Sequence, residues 1–287
     1  MKDISELDLK NNLPLVARRD PAQRTIVRVG SQPIGDGGLT LIGGPCAVES
    51  LDQVVDIAEH VKEAGATILR GGAFKPLTFP YRSEKTFELR EQGIEFLAEA
   101  KRRTGLPVVS EIMDAKHLPL FEQHVDMLQV GSRNMQNFPL LLAIAATGKP
   151  VLLKRHFGCS LRDWLGAAEY LLYHGNPNVV LCERGVTAPH THQVTSRFIV
   201  DLQVVPAVRE VTHLPIIVDP SHATFRRSFV PPVSRAAVAI GADGVMLDVH
   251  PVPEKAAVDP LQALDYASYR ALAGELRAIA GIVAPRA

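Results

Sequence analysis

The chain has 287 residues, of which 46% are hydrophobic and 22% charged; a chain of this size buries roughly three quarters of its unfolded surface, which excludes a disordered or fibrous protein. Lys and Arg together number 31, as do Asp and Glu, so no net charge attracts nucleic acid or an anionic membrane, and we expect neither as a partner. Three cysteines are too few for a disulfide framework, and no apolar run suits a signal sequence or a membrane span, so we expect a cytoplasmic protein.

The first 38 residues are predicted to form a polar leader and a short capping hairpin. Its strands fall at residues 25–29 and 33–34, separated by Gly30 and Ser31, and a glycine-rich turn at residues 35–38 follows. This segment is too short for a second folded domain, so we expect no regulatory domain there.

Eight apolar segments rich in Val, Ile and Leu follow, and they alternate with segments of helical periodicity. We predict strands at residues 39–44, 67–71, 107–112, 127–130, 150–154, 178–182, 215–218 and 244–249. The clearest amphipathic helices are predicted at residues 51–64, 86–103, 161–173, 230–240 and 262–279. Strands that are apolar on both faces indicate a parallel sheet, and eight such units predict an α/β fold, a (β/α)₈ TIM barrel over residues 39–287.

An open, doubly wound sheet is the alternative architecture. It would place a glycine-rich G-x-G-x-x-G turn after the first strand. Here that strand runs into Gly43-Gly44-Pro45-Cys46, which does not match the pattern and favours the barrel.

Polar residues follow every predicted strand, at the end of the barrel where such folds build their active sites. These residues are Cys46, Arg70, Lys75, Glu111, Arg133, Lys154, Arg155, Glu183, Arg184, Asp219, His222, Asp248 and His250. Any single Arg among them has an ordinary alternative role, as a solvated or salt-bridged strand end. Five or six cations gathered in a neutral chain instead predict bound anionic groups, a phosphate and a carboxylate, because the forked donors of Arg match both.

A second group of residues has metal-ligand chemistry. It consists of Cys46, His222, Asp248 and Asp259. Thiolate and imidazole favour a transition ion over Mg²⁺ or Ca²⁺, and two carboxylates argue against a closed structural zinc site. The four residues form no local motif, and Cys46 taken alone has the alternative of an ordinary buried thiol. We expect Cys159 and Cys182 to be packing residues.

Six runs of the sequence resemble signatures of the 3-deoxy-D-arabino-heptulosonate 7-phosphate synthase family, in its short bacterial form. They are GPCAVES at 44–50, RGGAFKP at 70–76, GSRNMQNF at 131–138, KPVLLKR at 149–155, CERG at 182–185 and VDPSHAT at 218–224. The resemblance runs in order from about Leu15 to about Leu264, through all eight predicted strands.

This resemblance implies a TIM barrel that condenses phosphoenolpyruvate with erythrose 4-phosphate, the first step of the shikimate pathway, and a homodimer or homotetramer. It implies one divalent metal ion, Mn, Fe, Co or Zn, and a proton moved by Lys75 or by a water at the metal. The implied phosphoenolpyruvate ligands are Arg70, Lys75, Arg133, Lys154 and Arg184. The implied metal ligands are Cys46, His222, Asp248 and Asp259, and Lys75, Cys46 and His222 are the implied catalytic residues.

The sequence departs from the family pattern mainly on the acceptor side. Leu77 stands where the family has the Arg that grips the sugar phosphate, and Asp248 replaces a Glu. The loops at residues 156–160 and 186–194 also differ. The alternatives are therefore another aldose acceptor, as in 3-deoxy-octulosonate 8-phosphate synthase or a specialised-metabolism variant, and a non-catalytic regulatory subunit.

We expect the ordinary acceptor, because the remaining framework persists. Thr78 can still donate to a phosphate oxygen, and Arg82, Arg226 or Arg227 can replace the missing cation. The intact cationic pocket argues against a non-catalytic subunit.

Overall fold

A hairpin opens the fold. The computed structural model describes residues 10–76, 88–188 and 198–283, so Leu77, Thr78 and Arg82 lie outside the described residues. Strands β1 (Val27–Val29) and β2 (Gln32–Ile34) pair antiparallel, with Val27 opposite Ile34. Their buried side chains join the apolar cluster inside the barrel. The hairpin therefore plugs the barrel rather than lying loosely beside it.

Eight parallel strands form a closed barrel, which confirms the predicted (β/α)₈ fold. They are β3 (Thr40–Gly44), β4 (Ile68–Arg70), β5 (Val108–Glu111), β6 (Met127–Val130), β7 (Val151–Lys154), β8 (Val179–Glu183), β9 (Ile216–Val218) and β10 (Gly244–Asp248). The ring closes where β10 pairs with β3, with Gly244 opposite Thr40 and Asp248 opposite Gly44. The predicted strands match these within one or two residues.

Helices cover the outside of the barrel. They are α1 (Leu51–Glu63), α2 (Glu91–Thr104), α3 (Leu118–His124), α4 (Phe138–Ala145), α5 (Leu161–Tyr173), α6 (Val204–Val211), α7 (Pro220–Thr224), α8 (Val230–Ile240) and α9 (Tyr266–Ile282). Helix α1 shows why: Ser50 caps its first turn, and Val54, Ile57 and Val61 bury one face against the strands. None of the helices in the described ranges is both long and apolar enough to cross a membrane.

Two predicted helix starts were wrong. Helix α9 begins at Tyr266 rather than at residue 262, because Asp265 caps it and Leu264 instead bridges to β10 through the carbonyl oxygen of Asp248. Helix α2 begins at Glu91, after Arg90 takes a positive φ of 52°. Helices α3, α4, α6 and α7 were not among the clearest predicted helices, because they have eight residues or fewer and are too short to display a clear helical period.

Two apolar layers hold the barrel together. One fills its interior, where Ile42, Ile68, Val109 and Met246 meet the hairpin. The other lies between strands and helices and includes the fully buried Trp164, whose Nε1–H donates to the carbonyl oxygen of Leu153 at 3.2 Å. Because the interior is apolar and plugged by the hairpin, the polar side chains collect at the carboxyl ends of the strands.

Gly44, at the end of β3, provides a test of this packing. Its φ is +154°, and a Cβ there would overlap the carbonyl oxygen of Arg70. We expect Gly44→Ala to lower the free energy of unfolding by about 3 kcal/mol or more, because two backbones must separate. Gly166→Ala, in α5 where a Cβ meets nothing within 4 Å, should raise it by about 0.5–1 kcal/mol. Chemical denaturation measures both, and equal effects of the two changes would contradict the close approach.

Candidate active site

Three potential metal ligands converge at the carboxyl end of the barrel. Cys46 Sγ lies 3.8 Å from His222 Nε2 and 3.4 Å from Asp259 Oδ2. His222 Nε2 lies 3.9 Å from the same Asp259 oxygen. One donor atom from each residue lies within 4.8 Å of the others, a span that one ion can bridge. A thiol, an imidazole and a carboxylate are the donor set of a transition metal rather than of Mg²⁺ or Ca²⁺.

Asp259 reaches this cluster from the loop between β10 and α9. Its φ is +54°, a left-handed conformation that Asp tolerates better than most residues. Arg227 holds the loop, because its guanidinium donates to the carbonyl oxygens of Ala263 at 2.7 Å and Pro260 at 3.3 Å. Glu49 holds the other side by accepting the N–H of Ala257 at 2.9 Å. This candidate ligand is therefore carried by a tethered loop.

His222 is oriented by Asp219, the residue that caps α7. The carboxylate accepts the backbone N–H of His222 at 3.0 Å and contacts its Nδ1 at 2.9 Å, which leaves Nε2 facing Cys46 and Asp259. Burial alone would lower the pKa of His222, but Asp219 and Asp248 outweigh it and raise the pKa to about 9.

Asp248, the fourth predicted ligand, is shared with other partners. It is fully buried at the end of β10, where Arg70 and the side-chain amide of Gln262 donate to it. Its Oδ2 lies 3.7 Å from His222 Nε2. Burial alone would raise the pKa of Asp248, but Arg70 and His222 lower it below its ordinary value. Asp248 thus borders the three-residue cluster while its carboxylate is held by Arg70.

Predicted substrate-binding cations surround the same cluster. Lys75 Nζ donates to the carbonyl oxygen of Cys46 at 2.9 Å and lies 3.2 Å from its sulfur. Burial alone would lower the pKa of Lys75, but the charge at Cys46 outweighs it and the pKa is raised. Lys154 is buried and its Nζ donates to Asp219 at 2.6 Å. Arg70 and Lys154 are therefore each paired with a buried carboxylate that also contacts His222.

The two remaining arginines differ from each other. Arg184 is buried at the end of β8, with its guanidinium 4.4 Å from the ring centre of Phe198. Arg133 is exposed and donates to the carbonyl oxygen of Pro76 at 3.1 Å, which joins the loop after β6 to the segment after β4. The position of Thr78 falls outside the described residues.

The sequence predicts Asp219 at the barrel mouth without a specific role, and it predicts no site role for Gln262. For Asp219 a signal was present: an Asp directly before Pro220 is typical of a helix cap, and His222 lies within the first turn. No sequence pattern indicated a role for Gln262, because its contact with Asp248 depends on the course of the loop between β10 and α9. Arg155, which had been grouped with the mouth cations, instead pairs with Glu183 at 3.0 Å and Asp201 at 2.8 Å.

Comparisons with known proteins identify the family of the chain. The family model of the DAHP synthetase I family matches residues 24–280. The phospho-2-dehydro-3-deoxyheptonate aldolase of Thermotoga maritima is 42% identical over 266 residues, covering 93% of this chain and 77% of that protein. A 2-dehydro-3-deoxyphosphooctonate aldolase of a Bradyrhizobium species is 32% identical over 270 residues, covering 88% of this chain and 92% of that protein.

Solved structures share the fold. The crystal structure of the Thermotoga maritima enzyme, described as a DAHP synthase, superposes with a TM-score of 0.87 at 40% identity, covering 94% of this chain and 77% of that one. A truncated form of 3-deoxy-D-arabino-heptulosonate 7-phosphate synthase from the same organism gives a TM-score of 0.87 at 39% identity, covering 95% of this chain and 98% of that one. From the family match and the extent of these similarities, the chain belongs to the DAHP synthetase I family.

Proposed function

We propose that this protein condenses phosphoenolpyruvate with erythrose 4-phosphate, releasing 3-deoxy-D-arabino-heptulosonate 7-phosphate and phosphate. The observation that carries the proposal is the gathering of Arg70, Lys75 and Lys154 around the Cys46–His222–Asp259 cluster. A phosphate and a carboxylate on one small substrate need this concentration of cations. The Thermotoga relative, named as a phospho-2-dehydro-3-deoxyheptonate aldolase, supports the same reaction.

Phosphoenolpyruvate would bind among Arg70, Lys75, Lys154 and Arg184, with Arg133 closing over it from the rim. Arg70 and Lys154 are already paired with carboxylates, so their buried charges are neutralised without substrate. Thr78 is assigned to the acceptor phosphate, as the sequence suggests.

Cys46, His222 and Asp259 would hold a divalent transition ion, Mn, Fe, Co or Zn, with Asp248 as the neighbouring carboxylate. Their donor chemistry fits such an ion, since a soft thiolate and an imidazole stand beside one carboxylate oxygen. When bound, the ion supplies Lewis-acid polarisation of the acceptor aldehyde.

The protein side chains hold the reactants for a balanced reaction. C3 of phosphoenolpyruvate attacks the aldehyde carbon, water adds at C2, and phosphate leaves by cleavage of its bond to C2. The aldehyde oxygen gains a proton as the carbon–carbon bond forms, and Lys75, whose Nζ lies 3.2 Å from the sulfur of Cys46, would donate it. The water that adds at C2 gives up one proton, which would recharge Lys75, and the remaining hydroxyl proton leaves with the phosphate as C2 becomes a carbonyl. Arg184 and Lys154 would stabilise the departing phosphate.

A different acceptor is the second candidate function. It is favoured by Leu77 and by relatives near 30% identity that are named 2-dehydro-3-deoxyphosphooctonate aldolases. Of the cations that could replace the missing Arg, Arg227 is already bound to Glu254 at 2.6 Å and to the loop carrying Asp259.

Removal of the metal tests the cluster. We expect exhaustive chelation to abolish phosphate release while the circular dichroism spectrum is retained, because the barrel core does not depend on the ion. Readdition of Mn²⁺ should restore turnover. Cys46→Ser should weaken metal affinity strongly, whereas Cys159→Ser, whose sulfur lies against Met135, should not. Full turnover after chelation would contradict the metal assignment.

Arg184 tests the phosphoenolpyruvate site. Arg184→Ala should cost about 2–4 kcal/mol of transition-state stabilisation, seen as a lower kcat/KM for phosphoenolpyruvate, because it removes a charge-assisted hydrogen-bonding partner from a desolvated site. Arg133→Ala should lower kcat/KM by less, because Arg133 is exposed at the rim. Arg235→Ala removes an exposed ion pair with Glu275 on the helical surface and should leave kcat/KM unchanged. Steady-state kinetics measure all three. A crystal soaked in phosphoenolpyruvate with the ligand away from Arg184 would refute the assignment.

The acceptor is tested by comparing kcat/KM for erythrose 4-phosphate, arabinose 5-phosphate, ribose 5-phosphate and unphosphorylated sugars. We expect erythrose 4-phosphate to be preferred. A value above about 10⁴ M⁻¹s⁻¹ would exclude the altered-acceptor alternative. A value orders of magnitude lower, restored by Leu77→Arg, would show that specificity changed at this position, because an Arg–phosphate hydrogen bond is worth about 1.5–3 kcal/mol.

A further inference from the structure

The buried carboxylate of Asp219 contacts both His222, a candidate metal ligand, and Lys154, a candidate phosphate ligand. It is fully buried between the end of β9 and the start of α7. One oxygen, Oδ1, accepts the backbone N–H of His222 at 3.0 Å and lies 3.1 Å from His222 Nδ1. The other, Oδ2, lies 2.9 Å from His222 Nδ1 and 2.6 Å from Lys154 Nζ. A single side chain thus contacts one candidate metal ligand and one candidate phosphate ligand.

The contact with His222 settles which ring nitrogen faces the metal cluster. An ionised carboxylate can only accept hydrogen bonds, so Nδ1 must carry a hydrogen. Nε2 is then the nitrogen directed at Cys46 and Asp259, at 3.8 and 3.9 Å. A ligating His is commonly held in this way by a carboxylate on its other nitrogen.

The contact with Lys154 neutralises a buried ammonium that would otherwise be costly to keep away from water. Lys154 ends β7 and is buried, with its ammonium inside the barrel mouth. Within the described ranges, Asp219 is the acceptor to which its Nζ donates. A buried ammonium requires such a partner to stay charged and in place.

We propose that Asp219 is a positioning residue that aligns His222 and Lys154 through one carboxylate, so that the metal side and the phosphoenolpyruvate side keep a fixed spacing. The proposal rests on the proposed function. It assigns Asp219 no contact with substrate or metal.

Asp219→Asn is the variant that separates this role from a structural one. Asn has nearly the same shape and is an equally good helix cap, so α7 should still form. Its amide, however, has one accepting oxygen and one donating nitrogen. Keeping the cap on the backbone N–H of His222 requires the amide oxygen at the Oδ1 position. The N–H₂ then faces both Nδ1 of His222 and the ammonium of Lys154, where Oδ2 accepts in the wild type. Turning the amide over restores an acceptor to both groups but directs the N–H₂ at the backbone N–H of His222 and removes the cap. The variant therefore cannot keep the cap and the two alignments together.

Two binding measurements on the purified full chain, without acceptor sugar, test the proposal. Co²⁺ affinity is measured by competition with a chromophoric chelator, together with the thiolate-to-cobalt absorption band. Phosphoenolpyruvate affinity is measured by calorimetry. We expect Asp219→Asn to weaken Co²⁺ binding by about 10–100-fold and to alter the band, or to weaken phosphoenolpyruvate binding at least about tenfold.

Asp243→Asn is the matched control. Asp243 is also buried and ion-paired, with Arg209 at 2.7 Å, and accepts the N–H of Ile216 at 2.8 Å, but it precedes β10 at the opposite end of the barrel. It should lower the thermal midpoint and leave both affinities within twofold.

The outcomes separate the inference from the function on which it rests. Wild-type affinities in Asp219→Asn would overturn the positioning role, and so would equal losses in Asp243→Asn, which would indicate general destabilisation. A wild-type protein that binds neither Co²⁺ nor phosphoenolpyruvate would instead overturn the proposed function.

Discussion

The ion pairs buried in the barrel mouth are the interaction on which the rest of the site depends. Arg70 is held by Asp248, and Lys154 by Asp219, with all four side chains almost fully removed from solvent. Charges in such surroundings persist only with partners of opposite sign. Both carboxylates also contact His222, one on each ring nitrogen. Arg70 and Lys154 are therefore connected through these carboxylates to the candidate metal-ligand cluster.

The barrel makes this unit possible by keeping charge at one end. Its interior is filled by apolar side chains, and the hairpin of β1 and β2 packs against them. The strand ends at the opposite side can then carry polar groups close together without hydrating the core. Tight backbone approaches such as that of Gly44 to Arg70 bring the strand ends near enough for their side chains to meet. Arg227 tethers the separate loop that carries Asp259.

Among the departures from the family pattern, the structure describes the surroundings of Asp248. Asp248, one methylene shorter than the family Glu, is held by Arg70 and Gln262, so the compact donor cluster consists of Cys46, His222 and Asp259. Leu77 lies outside the described residues, and in the proposed function its position concerns the acceptor sugar rather than the metal cluster.

The amino-acid sequence by itself determined the fold class and the residue types of the candidate site. Alternation of apolar strands and amphipathic helices is a local property, and the parallel barrel follows from it. Only the tertiary structure decided which charged side chains pair with each other. Arg70 and Asp248 are 178 residues apart in sequence, and Lys154 and Asp219 are 65 apart, so no local pattern records that they pair. The later start of α9 was likewise decided by a contact between separate segments, because the N–H of Leu264 donates to the carbonyl oxygen of Asp248 in β10.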